Sequence, residues 1–267
     1  MSGLPGARLT ARGVVRRYGG IEAVAGVDLA APPGRVTALI GPNGAGKSTL
    51  FDCLAGTVRP DSGRVLLGGR DVTRLPVHSR VRLGLARTFQ QIAVFPTLSV
   101  ADNVRVGAEQ PSGPRPRTHR ATAGEAGGEA AEAAPERSAE QAAERTERAL
   151  RLFGLLDVAA QPAGGQPTGV LRLVELARAL AGEPRVLLLD EPAAGLDTAQ
   201  TARLVTVLRG LADHGMALLL VEHDPGLVAE LADTVYAMAD GRVVAAGPTA
   251  AVLGDARVAR AWGGEPR

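Results

Sequence analysis

Apolar and polar residues alternate over residues 8–35, and the next five positions, 36–40, are apolar except for one threonine. Alternation with a period of two is typical of antiparallel strands that bury one face, whereas a continuous apolar run of this length is typical of a strand buried on both faces. We therefore expect antiparallel strands that lead into a central, fully buried strand.

The second half of the chain alternates between helical and strand-like patterns. Two segments repeat apolar residues at helical spacing, and two shorter segments are nearly continuous apolar runs. The helices are expected at 171–180 and 198–215, and the strands at 185–190 and 216–223. Two further short runs flank Asp240 and Gly241, a dipeptide that favours a hairpin turn. This alternation predicts a mostly parallel sheet with helices on both faces.

The composition changes in the middle of the chain. From Gly107 to Ala149 there is no aliphatic residue larger than alanine and no aromatic residue. Such a segment cannot bury enough apolar surface to order itself, so we expect a disordered or low-complexity insertion over 107–149. Its last part is expected to be helical from Pro135, because proline is favoured at helix starts and an apolar edge follows at Leu150 and Phe153.

Composition also narrows the classes of function. The chain has 267 residues, enough for one large α/β domain, and its net charge is only +2 with a pI near 9.2. This balance gives no basic stripe, so we expect no nucleic-acid partner. No run approaches the roughly 18 apolar residues of a spanning helix, and no apolar signal-peptide stretch is seen, so we expect a soluble cytosolic protein. Cys53, the single cysteine, is expected to be a buried, inert thiol.

Lys47 is the only lysine among 30 Lys and Arg residues. It lies in "GPNGAGKST" at 41–49, which matches the pattern G-x-x-x-x-G-K-[ST] between an expected strand and an expected helix. The glycines allow a tight loop whose backbone N–H groups face an anion, and the helix N-terminus adds a favourable dipole. A slender ammonium can lie inside this loop and reach phosphates, whereas a guanidinium is bulkier. The pattern predicts a polyphosphate site with Ser48 as a ligand of Mg²⁺.

Two other expected strands end in polar residues. Asp190 and Glu191 follow one apolar run, and His223 follows the next. Ligands of open α/β sheets bind at the carboxyl ends of strands. We expect Asp190 to approach the metal, Glu191 to face the γ-phosphate and a water molecule, and His223 to hydrogen-bond the γ-phosphate.

With these motifs the chain, over about residues 9–264, resembles the ATP-binding subunits of ABC transporters. The loop at 41–49 resembles the Walker A motif, "LLLDEP" the Walker B motif, "AGLD" at 194–197 the D-loop, and His223 the switch histidine. The phrases "YGGIEAV", "ARTFQ" and "LDEPAAGLD", with "VARAWGG" near the end, are most similar to the branched-chain amino acid importer subgroup.

The resemblance implies ATP and Mg²⁺ as cofactors and assigns roles to individual residues. It implies that Tyr18 stacks on adenine and that Gln90 reaches Mg²⁺ and links the site to the membrane subunit. The expected catalytic residues are Glu191, His223 and Lys47, and the expected metal ligands are Ser48, Gln90 and Asp190. The expected nucleotide-binding residues are Tyr18, Gly41, Pro42, Asn43, Gly44, Ala45, Gly46, Lys47, Ser48, Thr49, Gln90, Gly169 and Asp197.

One motif departs from the family pattern. The signature L-S-G-G-Q, which precedes a helix of the "RRLEIARAL" type, aligns with "QPTGV" at 166–170 and retains only Gly169. Pro167 replaces the serine whose hydroxyl contacts the partner's nucleotide, and Thr168 offers a shifted hydroxyl. An alternative register, "AGGQ" at 163–166, looks more like the signature but lies farther from the helix.

The resemblance implies a single ABC-type ATP-binding domain over 1–267. Its expected fold is an α/β P-loop NTPase with a RecA-like core and mostly parallel sheet, an antiparallel β layer and an inserted α-helical subdomain at 96–182. The implied partners are a second ATP-binding subunit, in a heterodimer rather than a homodimer, transmembrane permease subunits and, indirectly, a solute-binding protein. The implied location is cytoplasmic, peripheral on the inner face of the cell membrane.

Two alternatives to a transport ATPase remain at this point. A soluble ABC-type ATPase that acts on nucleic acid or ribosomes would carry a long heptad arm or two tandem cassettes, and this chain has neither. A regulatory subunit with low turnover is supported only by "QPTGV". The sequence does not identify the solute; branched-chain amino acids or a related small polar solute follow from the resemblance alone.

Overall fold

The computed structural model describes residues 8–88, 92–110 and 129–261, whose strands form two sheets. The strands are β1 (Leu9–Tyr18), β2 (Ile21–Ala31), β3 (Arg35–Ile40), β4 (Ser62–Leu67), β5 (Arg70–Asp71), β6 (Leu85–Arg87), β7 (Val186–Asp190), β8 (Ala217–Val221), β9 (Thr234–Ala239) and β10 (Arg242–Pro248). The α-helices in the described ranges are α1 (Lys47–Ala55), α2 (Val77–Arg82), α3 (Val100–Ala108), α4 (Glu129–Phe153), α5 (Thr168–Ala181), α6 (Thr198–Asp213), α7 (Pro225–Leu231), α8 (Thr249–Leu253) and α9 (Ala256–Ala261).

The larger sheet has the strand order β10-β9-β3-β8-β7-β6. All neighbours in it are parallel except β9 and β10. Strands β7 and β8 are buried along their whole length, as continuous apolar runs predict. Because β3, β8 and β7 are parallel neighbours, their carboxyl ends come out at one edge of the sheet, which places the segments that follow them close together.

The antiparallel pair at the edge of this sheet is the hairpin expected at Asp240 and Gly241. Both residues have positive φ, 47° and 74°. Positive φ at two successive turn residues is what a type I′ hairpin requires, and an Asp-Gly pair accommodates it at low cost. The sequence prediction of a hairpin here is confirmed.

The smaller sheet is antiparallel, with the order β2-β1-β4-β5. Alternate residues of β1, such as Leu9 and Ala11, are buried and share a core with Leu50 and Leu54 of α1 and with one face of the larger sheet. The opposite face of the larger sheet packs against helices. The predicted fold class, a P-loop type α/β core with an antiparallel layer, is confirmed.

Helices α3, α4 and α5 pack against one another within the region expected to be a helical subdomain. Helix α3 is capped by Ser99, whose hydroxyl accepts a hydrogen bond from Asp102 N at 3.0 Å. Helix α4 begins at Glu129, six residues before the start expected at Pro135.

The later part of the expected insertion at 107–149 is therefore an ordered helix in the structure, from Glu129 onward. Ala142 and Ala149 of α4 are buried, as are Leu150 and Phe153 near the end of the helix. Alanine can pack closely against neighbouring helices although it has little apolar area of its own, so a segment without large apolar residues still docks here. Residues 111–128 of the expected insertion lie outside the described residues. None of the helices in the described ranges combines the length and the apolar composition that spanning a lipid bilayer requires.

Candidate functional site

The loop between β3 and α1 is held in a conformation that requires glycine. Gly41, Gly44 and Gly46 have φ values of 145°, 80° and 96°. A Cβ atom on Gly41 would lie 2.2 Å from the carbonyl oxygen of Met238, and one on Gly46 would lie 2.1 Å from that of Ala23. The loop thus packs directly on the backbone of both sheets. Helix α1 begins immediately after it, at Lys47, so the positive end of the helix dipole faces the loop.

Lys47 is folded into this loop. Its Nζ donates hydrogen bonds to the carbonyl oxygens of Gly41 at 2.7 Å and Pro42 at 2.9 Å, and the residue is only 6% exposed. Burial lowers the pKa of Lys47, and the nearby carboxylates of Glu191 and Asp190 oppose that effect. The loop therefore surrounds a narrow cationic group, which is the geometry expected for binding phosphates.

The strand ends beyond β7 and β8 carry the other predicted polar residues. Glu191 has a φ of 47°, unusual for a non-glycine residue, and its backbone N–H donates to Val221 O at 3.0 Å. Its Oε1 lies 2.9 Å from Nε2 of His223. The two neighbouring strands thus bring the predicted base and the predicted switch histidine into direct contact.

One open cavity of about 220 Å³ joins the loop to these strand ends. It is lined on the loop and α1 side by Asn43, Gly44, Ala45, Gly46, Lys47, Ser48 and Thr49, and on the strand side by Glu191, Val221 and His223, with Ala23 completing the wall. The structure therefore brings the predicted phosphate loop, catalytic carboxylate and histidine into one site.

Asp190, the last residue of β7, is buried, with 4% of its surface exposed. Burial raises its pKa, and the guanidinium of Arg87 opposes this by favouring the carboxylate. Nη2 of Arg87 lies 3.4 Å from Oδ2 of Asp190. Sequence reasoning did not identify Arg87, although it lies three residues before Gln90 in "ARTFQ", a phrase that was recognised as a motif.

Glu222 is a second site residue that the sequence analysis missed. It is buried beside His223, and burial raises the pKa of its carboxyl group. Its two oxygens accept hydrogen bonds from the backbone N–H groups of Ala193 at 3.4 Å and His223 at 3.1 Å. Glu222 thus connects the segment after β7 to the segment after β8. The available signal was an acidic residue between a fully apolar strand and the histidine.

Tyr18 lies at the end of β1 and is 46% exposed. The guanidinium carbon of Arg16 lies 4.6 Å from the centroid of its ring. Arg16 is held in turn by Asp61, with a 3.0 Å separation between Nη1 and Oδ1. An exposed, supported aromatic ring is suited to stacking on a flat heterocycle. Gln90, the other residue assigned by resemblance, lies outside the described residues.

The start of α5 carries the segment predicted to contact a partner's nucleotide. Pro167 is the N-cap residue, Thr168 is the first helical residue, and Ala163–Gly165 form a separate 3₁₀ turn. Gly169 is buried, and a Cβ on it would lie 2.5 Å from Oε1 of Gln200.

Asp197 is the N-cap residue of α6. Its Oδ1 accepts from the backbone N–H of Gln200 at 2.8 Å, and Gln200 Oε1 accepts from the backbone N–H of Asp197 at 3.0 Å. This reciprocal pair is a capping box, and it fixes the end of the predicted D-loop beside Gly169.

Comparison with known proteins decides the family. The pattern that defines the family described as "ABC transporter" matches residues 24–194. The chain belongs to this family. It is 34% identical over 258 residues to the high-affinity branched-chain amino acid transport ATP-binding protein LivG of Escherichia coli K12, with 96% of this chain and 98% of LivG covered.

Other relatives of the same family carry different names. The chain is 41% identical over 253 residues to the cobalt import ATP-binding protein CbiO of Rhodobacter capsulatus, covering 92% of this chain and 80% of CbiO. Among solved structures, a nucleotide-free ATP-binding cassette from an ABC transporter superimposes with a TM-score of 0.80 at 27% identity, covering 97% of this chain and all of that one. The chain is an ATP-binding, ATP-hydrolysing subunit of ABC type, and its transported substrate is not fixed by these relatives.

The groups at the sheet edge fit the magnesium ion that ABC ATPases use with ATP. Ser48, which carries a hydroxyl, lines the cavity at the start of α1, and Asp190, which carries a carboxylate, is the last residue of β7. Oxygen ligands of this kind, few in number, suit Mg²⁺, which keeps several waters and binds the nucleotide phosphates as well.

Proposed function

We propose that this chain hydrolyses ATP to drive import of branched-chain amino acids or a related small polar solute. The observation that carries the hydrolytic part is the meeting of Lys47, Glu191 and His223 in one cavity at the end of the central sheet. The solute class is supported by the likeness to LivG over nearly the whole of both chains. The likeness to CbiO is the competing indication, and it makes a metal-ion importer the second candidate.

The proposed mechanism follows from the positions of the side chains. The loop N–H groups and Lys47 bind the β- and γ-phosphates and stabilise the charge that moves onto them during transfer. Glu191 orients and polarises the attacking water. Nε2 of His223 lies 2.9 Å from Oε1 of Glu191, and in the ATP complex the imidazole N–H is donated to the γ-phosphate instead. Bound Mg²⁺ would neutralise phosphate charge, with Ser48, Asp190 and Gln90 as its protein ligands and Tyr18 stacking on adenine.

The proposed assembly is a head-to-tail pair of ATP-binding subunits. In it the start of α5, with Thr168 and Gly169, faces the nucleotide on the second subunit. We favour a heterodimer, because Pro167 removes the hydroxyl that the family signature provides at this position. The pair would dock on transmembrane permease subunits at the inner face of the membrane and act, through them, on a solute-binding protein.

Two measurements test the proposal at separate levels. Magnesium-dependent ATP hydrolysis by the purified chain, alone and with a candidate second ATP-binding subunit from the same organism, tests the reaction. The matched variants are Glu191→Gln, which should reduce hydrolysis by about 10²-fold or more, and Glu183→Gln. Glu183 also has a positive φ, 51°, but it pairs with Arg145 and Arg148 away from the cavity, so its variant should remain active.

The solute is tested in proteoliposomes that contain the whole transporter. Stimulation of ATP hydrolysis by leucine, isoleucine or valine with the cognate binding protein would support the proposed solute class. Stimulation by Co²⁺ instead, with no response to amino acids, would move the chain to the second candidate. Strong hydrolysis in the absence of any membrane partner, with no stimulation on reconstitution, would contradict a transport role.

A further inference from the structure

Arg87 joins two acidic residues that come from different elements. It ends β6, the edge strand of the central sheet. Its Nη1 lies 2.5 Å from Oδ1 of Asp52 on α1, and its Nη2 lies 3.4 Å from Oδ2 of Asp190 at the end of β7. The Arg87 side chain is 12% exposed, and its guanidinium carbon lies 5.3 Å from the ring centroid of the buried Phe51. The guanidinium is thus held by two charges and one aromatic ring.

The ion pairs of Arg87 with Asp52 and Asp190, called the Arg87 bridge below, involve the same helix that carries Ser48. Ser48 and Asp52 are four residues apart on one helix, so they lie on the same face, one turn apart. Arg87 therefore contacts α1 one turn below the Ser48 hydroxyl and contacts the end of β7 at Asp190 itself. These are the two elements that carry the proposed magnesium ligands of the described chain.

We propose that Arg87 is a positioning residue that sets the distance and orientation between the Ser48 hydroxyl and the Asp190 carboxylate for magnesium binding. This inference rests on the proposed function. A planar guanidinium presents its donors in a rigid fork, so pairing with both carboxylates at once fixes α1 relative to β7. A lysine at this position would have one donor group on a flexible stem and could not hold both elements in the same way.

The bridge also reaches beyond the cavity. Thr88 follows Arg87 and its hydroxyl accepts a hydrogen bond from the backbone N–H of Asp190 at 3.3 Å, while its own backbone N–H donates to Leu188 O at 2.9 Å. The segment that leads toward Gln90 is therefore attached to β7 at two successive residues. Arg87 also reaches α1, through Asp52, which makes it the residue to test.

The experiment measures nucleotide binding with and without metal, in a Glu191→Gln background so that ATP is not consumed. Affinity for a fluorescent ATP analogue is measured in EDTA and then as a function of Mg²⁺ concentration. For Arg87→Lys we expect the affinity for the ATP analogue in EDTA to stay within about twofold of that of the parent chain. The Mg²⁺ concentration that gives half of the metal-dependent increase in affinity should rise about tenfold, as for other residues that orient metal ligands. The affinity for Mn²⁺, measured by electron paramagnetic resonance in the presence of ATP, should fall by the same factor.

Two further variants make the result specific. Asp52→Asn keeps the size of the side chain but removes the charge, so it should shift the Mg²⁺ dependence in the same direction. The double variant, Arg87→Lys with Asp52→Asn, should show a smaller shift in Mg²⁺ dependence than the sum of the two single shifts, because both substitutions disrupt the same ion pair. Arg145→Lys is the control: Arg145 is also largely buried and ion-paired, with Glu183, but it lies away from the cavity and should leave the Mg²⁺ dependence unchanged.

Three outcomes would overturn the inference. An unchanged Mg²⁺ dependence in both Arg87→Lys and Asp52→Asn would show that the bridge does not position the ligands. If Arg87→Lys loses the same factor in nucleotide affinity in EDTA and in Mg²⁺, and its melting temperature falls, Arg87 only supports the fold. If the Glu191→Gln chain with intact Arg87 binds no nucleotide under either condition, the proposed function fails and this inference fails with it.

Discussion

The carboxyl edge of the central sheet and the start of α5 are built in different ways. At the sheet edge each predicted group is held by the chain itself: Lys47 by loop carbonyls, Glu191 by His223 and a strand backbone, and Asp190 by Arg87. At the start of α5, Pro167 and Thr168 are exposed, and only the neighbouring glycine is packed. The comparison indicates that Lys47, Asp190 and Glu191 of the proposed ATP site are positioned by contacts within the chain, whereas Pro167 and Thr168 face outward.

The largest effect expected at the sheet edge comes from Glu191→Gln. Removing a positioned general base should reduce turnover by about 10²-fold or more while ATP binding is retained. The variant should also accumulate as an ATP-bound dimer, because closure requires the γ-phosphate and reopening requires hydrolysis. Turnover measured beside Glu183→Gln, and size-exclusion chromatography with ATP, check both points. Normal turnover in Glu191→Gln would move the base to another residue, with His223 the first to test.

Lys47→Arg tests whether the loop selects a slender cation. We expect ATP affinity to fall almost as far as in Lys47→Ala, by about 30-fold, because a charge-assisted contact is worth about 2 kcal/mol and the guanidinium does not fit inside the loop. Fluorescent-nucleotide titration measures this directly. Near-normal binding by Lys47→Arg would remove the explanation for the single lysine of this arginine-rich chain.

At the start of α5, Pro167→Ser tests the outward-facing half. Restoring a hydroxyl should raise the ATPase activity of the isolated chain by up to about tenfold, since one hydrogen bond to a charged group contributes about 1.5 kcal/mol. Adding the paired subunit should raise the activity of the unmodified chain as well. Pro162→Ser, at the N-cap of the preceding 3₁₀ turn, is the matched control.

Robust activity of the isolated chain, unaffected by Pro167→Ser, would have a different meaning. It would indicate that Thr168 supplies the hydroxyl in its shifted position. The reason to require a partner of different sequence would then disappear, and a homodimer would be sufficient.

The smallest effect is expected from deleting residues 113–128. Their composition offers little apolar surface to bury, so ATPase activity should be unchanged and the melting temperature should move by less than about 2 °C. Phe153→Ala is the contrast within α4, because the side chain is buried and its loss should cost about 3 kcal/mol or more. A large loss of stability in the deletion variant would show that the segment packs.

Local motifs of this chain were predictable from sequence, whereas the start of helix α4 was not. The glycine loop, the hairpin at Asp240 and the buried strands were predictable because each depends on local backbone geometry or on a short apolar pattern. Helix α4 was placed six residues late, because its early part consists of alanine and charged residues with no apolar periodicity to mark a start.

Sequence by itself determined the family, the α/β fold and the residues that form the phosphate loop and the two polar strand ends. These features are encoded in contiguous segments whose chemistry can be read without knowing what lies beside them. Only the tertiary structure decided that Arg87 bridges Asp52 and Asp190 and that Glu222 ties together the segments after β7 and β8. The contacts of Arg87 with Asp52 and Asp190, and of Glu222 with Ala193, join residues that are 29 to 103 positions apart, and their geometry is fixed by how strands and helices pack rather than by any local pattern.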